Sequence, residues 1–244
     1  MTSPKPPTLS IVIPVYNEER NVDALMTDLR TWAEAQTIDL EAIAVDDGSD
    51  DRSAALLQRQ AEAWPALRVL AHERNHGMGA TLLDGTRAAR GKYIVWMMAD
   101  RSDRFDDIRN MLTMLEQGYD LVIASRAMRG GDYGELGRGK SFFSHAYSWT
   151  ARLLFGMAAH DITNAFRGMK ATLPAALDLR SRDFAISPEM AIKAHRAGAH
   201  IAEIPTVYRY RQEGRSNFRL LRMGWRYAQL LWLRLLPRPP RLSL

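Results

Sequence analysis

Short runs of β-branched and aliphatic residues recur along the first 125 positions, and each stops at a polar, acid-rich string before a helical stretch begins. Leu9–Ile13 stops at Pro14, Leu40–Val45 at Asp46-Asp47-Gly48-Ser49, Tyr93–Met98 at Ala99-Asp100, and Leu121–Ala124 at Ser125-Arg126. The intervening stretches carry apolar residues at helical spacing, as in Val22, Leu25, Met26, Leu29 and Trp32. A strand–helix alternation of this kind predicts an α/β fold with a mostly parallel central sheet and helices on both faces. In such sheets ligands bind beyond the carboxyl ends of the strands. The polar strings sit at those ends.

Turn and cap residues set the expected boundaries. Ser49 or Asp50 is the expected N-cap of a helix running to about Ala63, and Gly91 the stop of a helix ending near Arg90. Residues 126–140, with five glycines, read as a mobile loop. Helical patterns follow at Ser141–Met157, Pro188–Gly198 and Phe218–Leu236. Strands are expected within Asn164–Lys170 and around Pro205. The chain divides into an N-terminal 1–8 expected to be flexible, a catalytic domain over 9–217, and a basic amphipathic segment over 218–244.

Several chemistries are excluded or disfavoured. The chain has no cysteine, which removes disulfides, thiolate catalysis and cysteine-ligated metals and fits a reducing compartment. The six histidines (72, 76, 145, 160, 195 and 200) are read as carrying no zinc-site spacing, so no histidine-ligated zinc is expected. There is no GxGxxG after the first strand, no GxxxxGK[ST] loop and no GxSxG elbow. The N-terminus lacks the apolar region of a signal peptide, and no apolar run reaches spanning length.

The candidates that remain are carboxylates and arginines. Asp46 and Asp47 beside Gly48 either accept N–H groups of a nucleobase or build a turn. Asp100 and Asp103 either hold a hard divalent cation on a phosphate-bearing substrate or cap a loop. Arg126, Arg167, Arg209, Arg211 and Arg215 are candidates for forked phosphate contacts.

The strings IVIPVYNEE, VDDGSDD, RNHGMGATLLDGTRAARGKYIVWMMAD and ASR, in this order and spacing, resemble glycosyltransferase family 2, whose members have the GT-A fold. DITNAFRGMK and FAISPEMAIKAHRAGAHIAEIPTVYRYRQEGRS resemble the dolichol- or polyprenyl-phosphate mannose synthase branch. The resemblance covers about residues 9–217. It implies an inverting transfer of a hexose from a GDP- or UDP-sugar to a polyprenyl or dolichyl phosphate, assisted by Mg²⁺ or Mn²⁺. It implies that Pro14, Tyr16 and Glu18 line the nucleoside pocket, and that Asp46 or Asp47 contacts the base. Asp100 would hold the metal. Arg126 and Arg211 would neutralise phosphate charge, and Arg215 and Ser216 would join them on the acceptor side, with Gly214 beside them.

The family's Asp-x-Asp is here Met98-Ala99-Asp100, so Asp103 is the candidate for the missing metal ligand, and Ser102 lies beside it. Where relatives with hydroxyl acceptors carry a Glu-Asp pair, this chain has Glu189-Met190. Glu189 is either a base or a first-turn helix acid. A phosphate acceptor, already ionised, needs no base, which favours a lipid phosphate. The readings left open are transfer to another lipid or a glycan hydroxyl, with Glu189 or Asp161 as base, and a non-catalytic nucleotide-sugar-binding module.

The last 39 residues carry nine arginines, no lysine and one acid, a net +8, against −3 for the first 205 residues and +5 for the whole chain. Within Phe218–Leu236, Arg219, Arg222 and Arg226 recur at helical spacing beside Leu220, Leu221, Trp225, Leu231, Trp232 and Leu235. This pattern suits a helix lying in a membrane interface, with the protein cytoplasmic and peripheral at the inner face of the membrane, or one packed on the domain or on a partner, whether a second copy or a membrane protein. Aromatics set among aliphatics disfavour nucleic acid.

Overall fold

The structure is a computed structural model that describes residues 6–134, 136–208 and 220–242, the side chains of 220–222 excepted. Among these residues the strands are β1 (Leu9–Val15), β2 (Leu40–Asp46), β3 (Leu67–Ala71), β4 (Tyr93–Trp96), β5 (Leu121–Ser125), β6 (Arg167–Lys170) and β7 (Ile201–Pro205). The helices are α1 (Glu19–Ala35), α2 (Ser53–Ala63), α3 (Met78–Ala88), α4 (Phe105–Glu116), α5 (Arg138–Phe155), α6 (Leu173–Ala176), α7 (Ile186–Arg196) and α8 (Leu220–Leu231), with a 3₁₀ turn at Trp232–Leu235.

The strands form one sheet in the order β3-β2-β1-β4-β6-β5-β7. Only β6 runs against its neighbours, inserted between β4 and β5. Every residue of β1 is buried, as expected of a central strand covered on both faces. Alternation sorts its side chains between two layers. Ile11, Ile13 and Val15 join Val95 and the inner faces of α1, α2 and α4. Val12 joins Ile94, Trp96 and the inner faces of α3, α5, α7 and α8. Helix α3 lies so close to the sheet that a Cβ on Gly85 would stand 2.4 Å from the Val12 side chain.

Local expectations fail where side chains found long-range partners. Helix α2 begins at Ser53, not after Ser49 or Asp50. Ser49 Oγ instead donates to Asp46 Oδ1 at 2.5 Å and accepts the backbone N–H of Asn17. Short polar side chains compete in this way with helix capping. Helix α3 stops at Ala88, and Gly91 presses on β1, its N–H donating to Ser10 Oγ at 2.9 Å. Strand β4 ends at Trp96 because the Met98 N–H turns to Asp103 Oδ2. Helix α5 starts at Arg138, inside the stretch expected to be a loop. Helix α8 packs on the domain through buried Met223 and Tyr227, and the Tyr147 hydroxyl donates to the Tyr227 carbonyl at 3.0 Å.

Candidate functional site at the carboxyl ends of the strands

Strand β1 lies between β2 and β4, so the ends of β2 and β4 stand roughly 10 Å apart across it, at about 4.8 Å per strand. The turns leaving β1 and β2 are tied together. Asn17, left-handed at φ 56°, accepts the Asp50 N–H on its Oδ1, while the Glu18 and Glu19 N–H groups donate to Ser53 Oγ and Asp51. Pro14 and Glu18 are buried and Tyr16 is half-buried at the mouth of this turn. Glu18 accepts from Asn21 Nδ2 at 2.6 Å.

Asp46 and Asp47 are both buried. Asp46 holds Ser49. Asp47 reaches across to the turn after β3, accepting the N–H groups of His76 (2.8 Å) and Gly77 (2.9 Å) and facing His72 Nδ1 at 2.8 Å. Gly48 is required here: its φ is +69°, and a Cβ would lie 2.6 Å from the Arg74 backbone.

At the end of β4, Asp100 accepts from Ser102 N and Oγ, the latter at 2.6 Å. Asp103 is half-buried and accepts the Met98 N–H at 2.8 Å. Burial first, and then the charge of Asp100, pushes the Asp103 carboxyl up to about 8. Two carboxylates crowded so that one resists ionisation are a donor set suited to a hard divalent cation. The residues present therefore fit Mg²⁺ or Mn²⁺, although the first position of the usual pair is Met98.

At the end of β5, Arg126 and Asp161 form a buried forked pair, with Nε to Oδ2 at 2.7 Å and Nη2 to Oδ1 at 3.0 Å. Burial alone would raise the Asp161 carboxyl, but Arg126 outweighs it and holds it low. Nη2 also reaches Thr163 Oγ1 at 3.2 Å, and the guanidinium lies over the Tyr133 ring. Arg126 was expected to offer its charge to phosphate. In this arrangement that charge is matched by Asp161, a partner 35 residues away that spacing did not reveal.

Arg167 is fully buried and donates to the carbonyls of Ser187, Ile162 and Asn164. It braces the walls of the cleft. Glu189 accepts the N–H groups of Arg180 and Ser181 and pairs with Lys193 at 2.6 Å. Burial raises its carboxyl, but these donors more than offset it and the net shift is downward. It works as a tie between α7 and the 178–182 loop, and lowered basicity is the wrong direction for a general base. Arg209, Arg211, Gly214, Arg215 and Ser216 lie outside the described residues.

Helices α5 and α8 and the 3₁₀ segment after α8 expose large apolar side chains. Trp149 (60%), Trp225 (69%) and Trp232 (69%) are exposed, as are Phe142, Leu153, Leu235 and Leu236. The contribution of α5 was not foreseen. Its aromatic pattern gave no sign of which face the domain would cover. Among the described residues no helix is long and apolar enough to cross a membrane.

Comparison with known families matches residues 10–175 to the one described as Glycosyl transferase family 2. Among curated relatives, the undecaprenyl-phosphate 4-deoxy-4-formamido-L-arabinose transferase of Pseudomonas aeruginosa (strain LESB58) is 32% identical over 221 residues, covering 88% of this chain and 61% of the relative. The protein of the same name from Pseudomonas fluorescens (strain Pf0-1) is 28% identical over 218 residues, with the same coverage. The chain thus spans about three fifths of the length of these relatives. Among solved structures, glucosyl-3-phosphoglycerate synthase from Mycobacterium tuberculosis superposes with a TM-score of 0.72 at 18% identity, over 93% of this chain and 80% of that one. The same synthase in complex with Mg²⁺ and uridine diphosphate gives 0.69 at 17% identity, over 93% and 79%. The shared architecture is the GT-A fold.

Proposed function

The chain belongs to glycosyl transferase family 2, and we propose that it moves a hexose from a GDP- or UDP-linked donor to a polyprenyl phosphate at a membrane surface, with inversion at the anomeric carbon. The observation that carries this reading is the placement of Asp46 and Asp47 at the end of β2, and of Asp100 and Asp103 after β4, on either side of the end of β1. One acid pair suits the base and the other the diphosphate of a single nucleotide.

In this reading Pro14, Tyr16 and Glu18 line the nucleoside pocket, and Asp46 or Asp47 accepts from the base. Asp100, with Asp103, would hold Mg²⁺ or Mn²⁺, which supplies charge neutralisation for the departing diphosphate. Arg211, Arg215 and Ser216 would bind the acceptor phosphate. Arg126, held in place at the end of β5 by Asp161, would neutralise phosphate charge through direct contact. The lipid-phosphate acceptor is supported by the state of the two candidate bases. Asp161 and Glu189 are both held as ion-paired carboxylates of low basicity, so a hydroxyl acceptor would lack a good proton acceptor, while an ionised phosphate needs none. The sugar chemistry named in the relatives, a transfer to undecaprenyl phosphate, supports the same acceptor class. The exposed tryptophans of α5, α8 and the 3₁₀ turn after it would face the bilayer, at the cytoplasmic, inner face of the membrane.

The test is nucleotide release from UDP- and GDP-sugars with Mg²⁺ or Mn²⁺, with and without a short polyprenyl phosphate in detergent. Release that requires the lipid phosphate is the expected result. Release that a polyprenyl alcohol supports equally well would instead point to a hydroxyl acceptor. Donor binding without release for any acceptor would leave a nucleotide-sugar-binding module.

A further inference from the structure

Three polar side chains outside the acid pairs converge at the end of β3. His72 follows that strand, His76 lies in the turn after it, and Asp84 sits on α3. A ligating atom from each lies within 4.8 Å of the others. The His72 and His76 rings stack with centroids 4.6 Å apart. His72 is largely buried, with its Nδ1 2.8 Å from Asp47 Oδ1 and its Nε2 3.3 Å from Asp84 Oδ2.

The hydrogen-bond partners of His72 fix the roles of its two nitrogens. The Asp47 carboxylate can only accept, and it already accepts two backbone N–H groups. Nδ1 must therefore carry the hydrogen between them. Nε2 is then the atom left to meet Asp84, and a metal ion between the two could take one ligand from each. The spacing fits a metal ion: two ligands each about 2.0–2.1 Å from a tetrahedral ion stand about 3.3–3.4 Å apart. A carboxylate on the far nitrogen of a ligating histidine is the usual device for fixing its tautomer and raising its basicity. Asp84 keeps Oδ2 for this role because Arg87 takes Oδ1. His76 is exposed, so a fourth position would open to water.

We propose that His72, His76 and Asp84 bind a divalent transition-metal ion of the zinc class, with Asp47 orienting His72. Imidazole nitrogens with one carboxylate select Zn²⁺, Co²⁺ or Ni²⁺ over Mg²⁺, which prefers oxygen ligands and water. This site is separate from the Asp100 and Asp103 pair. An ion here fixes the turn after β3 against α3, and with it the position of Asp47.

The experiment is a titration of the full chain with Co²⁺, followed by its visible ligand-field absorption, and with Zn²⁺ by calorimetry. Both are done at neutral pH with excess Mg²⁺ present. The variants are His76→Ala, Asp84→Asn and Asp100→Asn. His76 is exposed and Asp84 lies on the outer part of α3, and circular dichroism checks that each variant keeps its fold. The expected result is one saturable ion per chain, an affinity loss of about tenfold or more in each of the first two variants, and no change in Asp100→Asn. No saturable binding up to millimolar metal overturns the proposal. So does binding that only one, or neither, of His76→Ala and Asp84→Asn weakens.

Discussion

Arg126 meets Asp161 as a two-pronged pair, and both side chains are shielded from water. The pair joins the end of β5 to the 160–163 loop, which Glu203 on β7 holds in turn by accepting the N–H groups of His160 and Asp161. A buried pair of this kind is costly to break from one side, because the surviving charge has no partner. Asp161→Asn should therefore lower unfolding stability by about 3–5 kcal/mol at neutral pH. Urea denaturation reads this directly, and a loss below about 1 kcal/mol would mean that water reaches the pair.

Asp100→Ala should reduce nucleotide release by on the order of 100-fold or more, since it removes charge stabilisation at the leaving diphosphate. The midpoint of thermal unfolding without metal should not fall, because the substitution also relieves the repulsion felt by Asp103. Near wild-type turnover in the variant would place the cation elsewhere.

Asp103 has a pH signature of its own. Its carboxyl, raised to about 8 in the folded chain, keeps a proton that the unfolded chain releases in the ordinary carboxylate range. The folded state binds the extra proton between those limits, so stability falls as pH rises from about 4 towards 8. Asp103→Asn should flatten that slope in metal-free protein. Saturating Mg²⁺ should flatten it too, by favouring the ionised form. Parallel slopes for wild type and variant would refute the assignment.

Glu41 acts in the opposite direction. It is buried at the start of β2, and burial alone would raise it. The Arg90 N–H, the Ser10 hydroxyl and the guanidinium groups of Arg68 and Arg90 outweigh burial and hold it low. Its stabilisation is complete above the ordinary glutamate range and is lost as pH falls through its lowered folded value. Glu41→Gln should destabilise the chain near neutral pH by roughly 1–3 kcal/mol, and the gap to wild type should narrow on acidification. A gap that widens in acid would contradict this.

The apolar face of α5 and α8 makes a prediction about lipid. Replacing Trp149, Trp225 and Trp232 together by Ser should reduce cosedimentation with anionic vesicles at least tenfold, about 1.4 kcal/mol, while leaving the sheet's circular dichroism intact. Unchanged cosedimentation would indicate that this face is covered by protein. Retention on vesicles that salt abolishes in wild type and variant alike would assign binding to the arginines alone.

Much of the architecture was legible from residues 9 to 125 because the strands and helices there are specified locally. Strand β1 is apolar throughout except for Ser10, and α1 shows its inner face at three- and four-residue spacing. The acid pairs at the strand ends could be located for the same reason, since a parallel sheet places every such end on one side. What sequence did not decide were the partners. Ser49 was available to cap a helix and instead bonded Asp46 and Asn17. Arg126 is a phosphate candidate by residue type, but its partner Asp161 lies 35 residues away and no local spacing points to it. His72 and His76 stand four apart, a spacing found in metal sites, but Asp84 joins them only because α3 packs back on β1 and β2. Periodicity reports the geometry of a backbone over a few residues. Which polar side chain satisfies another is settled by burial, where an unpaired group costs more than a local bond returns. Only the packed structure determines which groups are buried together.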